Sequence, residues 1–101
     1  MIELATSSTT TTVTFTGDLD LAMRPQFQEV MARVNSLRRQ LLVLDLTDTE
    51  FLDSTGAAFL ISLADSMQRR GGTAVLRGAD ERALFVLEIC GALNIFRIDG
   101  D

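Results

Sequence analysis

Two hydrophobic periods alternate along this chain, and the alternation constrains its fold more than any single motif does. Val13 and Phe15 alternate with Thr14 and Thr16, the period of a half-buried strand that Gly17 ends. From Pro25 onward, Phe27, Val30, Met31, Val34 and Leu37 recur at steps of three and four, which is one apolar helix face ending near Leu37 to Arg39. Leu41–Leu46 is short and nearly all apolar, as expected of a strand covered on both sides. A helix pattern over Ala57–Gln68 follows, closed by Arg69-Arg70-Gly71-Gly72, a strong stop signal. Thr73–Arg77 reads as a strand. Asp80 caps a third helix through Glu88 or Ile89, with Leu84 and Leu87 inward and Gly91 at its end. Asn94–Ile98 reads as the last strand, and Ile2–Ala5 as the first, joined to the second by a hairpin turn in the Ser/Thr tract Thr6–Thr12.

The predicted order is therefore β-β-α-β-α-β-α-β. It implies an α/β fold, a small mixed sheet of about five strands, partly parallel, with the helices layered on one face. No linker divides the 101 residues, so one domain spanning 1–101 is expected.

Composition narrows the chemistry. The chain has no His, no Lys, no Trp and no Tyr. It lacks the commonest general base and transition-metal ligand, and any lysine for Schiff-base or P-loop chemistry. A single Cys excludes an internal disulfide, a Cys-based zinc site and a CxxC redox pair. No metal site and no cofactor are expected, and the chain reads as a non-enzyme. A net charge of −5 argues against direct binding of nucleic acid. The longest apolar run, Ala57–Ile61, is too short to span a membrane, and no basic, apolar leader follows Met1, so a cytoplasmic protein without a membrane partner is expected.

Phe51-Leu52-Asp53-Ser54-Thr55-Gly56 is a strand-to-helix junction crowded with oxygens. One capping residue would suffice to start a helix. Here three come in a row, followed by a glycine that lets another chain approach the backbone closely. A hydroxyl in a first helical turn sits where the dipole and free N–H groups favour a phosphate. Phosphorylation would add about −1.5 to −2 charges at pH 7. Asp53 would oppose that charge locally, and Asp18 and Asp20 would join it if the strand end before them lies beside this junction.

These residues, with Gly17-Asp18-Leu19-Asp20, Leu42-Val43-Leu44-Asp45-Leu46, Gly71-Gly72 and Gly91-Ala92-Leu93-Asn94-Ile95-Phe96, resemble a STAS domain, specifically a bacterial anti-sigma-factor antagonist. The resemblance runs in order over nearly the whole chain, and its Asp-Ser-Ser/Thr-Gly element is the most specific part. It implies a small sheet packed against helices. It also implies that Thr55 is phosphorylated, with Asp18, Asp20, Asp53, Ser54 and Gly56 around it as partner-binding surround. The family's usual residue at Thr55 is Ser, although Thr is also found, and Asp18 stands where Glu is common. The implied mechanism is partner switching. The unmodified antagonist binds an anti-sigma factor that is a serine/threonine kinase and frees the sigma factor. Phosphorylation releases it, and a PP2C-type phosphatase restores it.

The alternatives within and outside this family are specific. A non-switching STAS scaffold, or a small subunit of a signalling or lipid-transport complex, would use Thr55 only as a contact or cap. Homodimeric aspartic proteases carry Asp-Thr/Ser-Gly, but Asp53-Ser54-Thr55-Gly56 is one residue longer and runs into a helix pattern. Cys90 is expected as a small buried residue, Met23, Met31 and Met67 as core or interface filler, and Arg69-Arg70 as a solvated helix end. Phe85, Val86 and Ile89 cannot all face inward with Leu84 and Leu87, so some are expected at a partner surface or in a wide buried face.

Overall fold

A computed structural model describes residues 1–99. Among these residues, seven strands and three helices run β1 (Ile2–Thr6), β2 (Thr10–Phe15), β3 (Gly17–Leu19), α1 (Arg24–Leu37), β4 (Leu41–Asp45), β5 (Thr49–Leu52), α2 (Ser54–Arg69), β6 (Thr73–Arg77), α3 (Glu81–Ile89) and β7 (Arg97–Asp99), with one-turn 3₁₀ helices at Leu21–Met23 and Leu93–Ile95. Five strands form one mixed sheet in the order β1-β2-β4-β6-β7. β1 is antiparallel to β2, and the other three pairings are parallel. The expected five-strand mixed sheet is present.

Register decides which side becomes the core. Leu4, Val13, Leu44 and Leu76 align across β1, β2, β4 and β6, and the last three are completely buried. They join Leu60, Leu63, Ala64 and Met67 of α2 and Leu87 of α3 in one apolar cluster. The opposite row, Thr12, Val43 and Val75, stays outside that cluster. The helices thus cover one face of the sheet. This corrects the reading of Leu41–Leu46 as covered on both sides. Val43 and Val75 are still buried, because cross-strand neighbours about 5 Å away screen each other on a pleated surface.

Aromatic contacts bind the layers together. Phe27 of α1 stacks on Phe59 of α2 at 4.0 Å between ring centroids, and Phe15 of β2 meets Phe59 edge-on at 6.3 Å. α2 ends as its sequence requires. The Gly71 N–H donates to the Gln68 carbonyl and the Gly72 N–H to the Met67 carbonyl, and Gly71 takes φ +77. That paired arrangement needs a left-handed residue after the cap, which glycine supplies without steric cost. At the end of α1, the Arg39 guanidinium donates to the Leu37 carbonyl at 2.8 Å.

Several sequence expectations shift. Thr10–Thr12 of the Ser/Thr tract belongs to β2, where β-branched residues fit, and only Ser7–Thr9 turns the chain. The expected order counts neither β3 nor β5, although Phe51-Leu52 reads as the strand side of the junction; the two pair with each other as a separate parallel two-strand unit. At three and four residues, they are too short for a period of two to show. The last strand is Arg97–Asp99, because Leu93–Ile95 coils into a 3₁₀ turn first. Cys90 is exposed rather than buried, since it sits at the cap of α3, past the last residue that faces the core. Met67 is core, while Met23 and Met31 are half-buried. Arg69 pairs with Asp65 at an exposed site, whereas Arg70 is partly buried and donates to the Asn35 carbonyl at 3.2 Å. Phe85 and Ile89 are 60% and 68% exposed, so the α3 face is not a wide buried one.

The two sides of α3 give a direct stability contrast. Leu87→Ala is expected to cost about 2–5 kcal/mol in urea unfolding, because it opens a cavity in the core. Phe85→Ala is expected to stay within about 0.5 kcal/mol, because its ring is mostly in solvent already.

Candidate functional site

The site is built where the β3–β5 pair ends. Leu19 aligns with Leu52, so the next residues, Asp20 and Asp53, leave two parallel strands side by side. Each carboxylate then caps a helical turn. Asp20 Oδ1 accepts from the Ala22 N–H at 3.1 Å and starts the Leu21–Met23 turn. Asp53 Oδ1 accepts from the Gly56 N–H at 2.8 Å and starts α2. The second oxygen of Asp53 accepts from the Leu21 N–H at 3.2 Å. One carboxylate therefore ties the start of α2 to the turn that leads into α1.

Gly56 completes this joint. A Cβ at this position would overlap the Leu19 carbonyl oxygen and come within 2.8 Å of Leu52 Cδ1. The close approach expected of this glycine is made by Leu19 of β3, and any side chain would push β3 off α2.

Ser54 and Thr55 form the first turn of α2. Ser54 is exposed and Thr55 half-buried. Among the described residues, neither hydroxyl has a hydrogen-bond partner, and neither backbone N–H has an acceptor. Both side chains line a groove of about 920 Å³ between α1 and α2, with Phe27, Met31 and Ala58 along its walls. Leu21, 58% exposed, stands at the same groove.

Of the sequence-expected site residues, the structure brings Asp20, Asp53, Ser54, Thr55 and Gly56 into one junction. Asp18 lies on β3, is exposed, pairs with Phe51 in the ladder and does not line the groove. Asp53 and Asp20 are committed to backbone N–H groups rather than facing an open anion site. Sequence reasoning missed the α1 wall. Arg24 lines the groove together with Ser54 and Thr55. Its neighbour Pro25 signalled a helix start, but nothing in the sequence placed that start opposite α2.

A smaller recess of about 330 Å³ lies between β5 and α3, lined by Phe51, Phe85, Val86 and Arg82 among others. It is a separate feature from the Thr55 groove.

The model of the STAS domain family matches residues 1–101. The chain belongs to this family. Among curated proteins it is 28% identical over 82 residues to the anti-sigma-B factor antagonist of Listeria monocytogenes, covering 81% of this chain and 72% of that protein. The fold also matches an anti-sigma factor antagonist from Mycobacterium paratuberculosis, at 22% identity and TM-score 0.79, over 100% of this chain and 86% of that one. The phosphorylated form of the Bacillus cell fate determinant SpoIIAA matches at 14% identity and TM-score 0.77, over 100% and 93%.

The double role of Asp53 in this STAS domain is separable. Asp53→Ala is expected to lose about 2–3 kcal/mol, from the cap and the link to Leu21 together. Asp53→Asn keeps an acceptor for Gly56 and is expected to lose less, while hydrogen exchange at the Leu21 amide accelerates in both. Gly56→Ala is expected to destabilise more than Ala58→Gly, although the reverse order holds for helix propensity alone.

Proposed function

We propose that this STAS domain is an anti-sigma-factor antagonist switched by phosphorylation of Thr55. In the unmodified state it binds an anti-sigma factor that is also a serine/threonine kinase, and the sigma factor goes free. The observation that carries this reading is the Thr55 hydroxyl. It is unpaired among the described residues, in the first turn of a helix, on an accessible groove. The relationship to the Listeria antagonist supports it.

The chemistry asks little of this chain. In the transfer, Thr55 Oγ1 forms a bond to the γ-phosphorus of ATP, and the bond from that phosphorus to the β,γ-bridging oxygen breaks, leaving ADP. The hydroxyl proton passes to a base on the kinase. Nucleotide and Mg²⁺ are the kinase's, so the absence of His and Lys from this chain is no obstacle. A PP2C-type phosphatase reverses the step by transferring the phosphoryl group to water. The chain is substrate and ligand rather than catalyst, and it acts in the cytoplasm without contacting nucleic acid or membrane.

Release follows from burial of charge. Docking an apolar-walled groove removes water from its rim. A phosphate dianion brought there without a matching cation on the partner costs several kcal/mol, enough to undo binding without a change of fold. The surrounding Asp20 and Asp53 fix the helix starts that present Thr55, Ser54 adds to the contact surface, and Gly56, buried against Leu19, lets α2 sit close enough to β3 to present it.

Two measurements test this. After incubation with the anti-sigma kinase and ATP, intact mass is expected to show one phosphate on the native chain and on Ser54→Ala, and none on Thr55→Ala. In titrations against the same partner, Thr55→Ala is expected to bind like the native chain and Thr55→Glu at least about 10-fold more weakly. Equal affinity of the two variants would refute the switch.

A further inference from the structure

Arg24 is the only charged side chain lining the α1–α2 groove among the described residues. Among the described residues it makes no ion pair, as is true of most of the nine arginines, of which Arg69 and Arg77 pair with carboxylates. Its position is also electrostatically unfavourable. Arg24 opens α1, and a cation at a helix N-terminus opposes the macrodipole by about 0.3–1 kcal/mol. The first turns of α1 and α2 carry no acid to offset it, whereas α3 has Glu81 there. The two nearest capping carboxylates, Asp20 and Asp53, are held on backbone N–H groups. The Asp53–Leu21 hydrogen bond fixes the turn preceding Arg24 against the turn carrying Thr55, so the two side chains share one groove by construction.

We infer that Arg24 is the residue that pairs with the phosphate on Thr55, closing the groove from the α1 side when the chain is modified. This rests on the reading of Thr55 as phosphoacceptor. A guanidinium matches phosphate oxygens with a two-pronged, charge-assisted hydrogen bond. Addition of the phosphate supplies the anion that the start of α1 lacks. It also occupies the one cation that the unmodified groove offers to an acidic residue on a partner. Phosphorylation then both adds a dianion and removes a positive contact.

The test places phosphothreonine at position 55 during synthesis of the chain, so it does not depend on any kinase. A failure of the Arg24 inference is thereby distinguished from a failure of Thr55 to be the physiological acceptor, which kinase mapping reports. The phosphate's second ionisation, near pH 6 in free phosphothreonine, is followed by its ³¹P resonance. Asp20 and Asp53 raise that midpoint and Arg24 lowers it, so the comparison is between variants. Arg24→Gln is expected to raise the midpoint by about 0.5 pH unit, and Arg24→Lys by less, because the charge remains but the fork is lost. Arg24 is exposed, and the amide spectrum of each unphosphorylated variant checks that the fold is intact. The Arg24 Nε resonance is expected to shift between the unmodified and phosphorylated native chains. An unchanged midpoint in Arg24→Gln would overturn the inference.

Discussion

The Asp53 carboxylate is the joint on which the site depends. One oxygen starts α2 and the other holds the turn that enters α1. Without it, the Phe27–Phe59 stack would still hold α1 against α2, but the turn that enters α1 would lose its hydrogen bond to the residue that caps α2. Gly56 lets the joint close, because only a residue without Cβ leaves room for the Leu19 carbonyl. The short β3–β5 pair delivers both Asp20 and Asp53 to the same end, and the stacked Phe27 and Phe59 rings set the floor on which the two helices meet. The large sheet contributes rigidity, and the small pair contributes placement.

Charge gives this joint its consequence. The chain carries −5 overall, yet the groove beside Thr55 holds an arginine and two helix starts without acids in their first turns. The neighbouring carboxylates are used as caps. A local anion there meets Arg24 and two helix N-termini as well as the charges of Asp20 and Asp53, which hydrogen bonding leaves in place. Under the proposed switch, the partner's surface would discriminate the two states by having to desolvate the groove rim, and the loss of Arg24 as a free cation would add to that discrimination.

Much of this was legible in the sequence, for identifiable reasons. β4 and β6 are apolar runs and α3 has a clear cap at Asp80, so both kinds of signal survive without context. The Asp-Ser-Thr-Gly element marked the start of α2 and the close approach at Gly56. β3 and β5 were not legible, because Thr49 and Glu50 are polar and neither strand is long enough for periodicity. Cys90 was misjudged because burial at a helix end depends on the direction of the last turn, which composition does not encode. Arg24 was missed for a related reason. It shares a groove with Thr55, 31 residues further on in the chain, and no local pattern joins the two.

If the proposed switch operates, phosphorylation of Thr55 alone is enough to weaken partner binding. The most direct measurement is calorimetric titration of the anti-sigma kinase into two preparations of the native chain, one unmodified and one fully phosphorylated at Thr55. The phosphorylated chain is expected to bind at least about 30-fold more weakly, corresponding to roughly 2 kcal/mol, with its amide spectrum otherwise unchanged away from the α1–α2 groove. Equal affinities for the two preparations would contradict it.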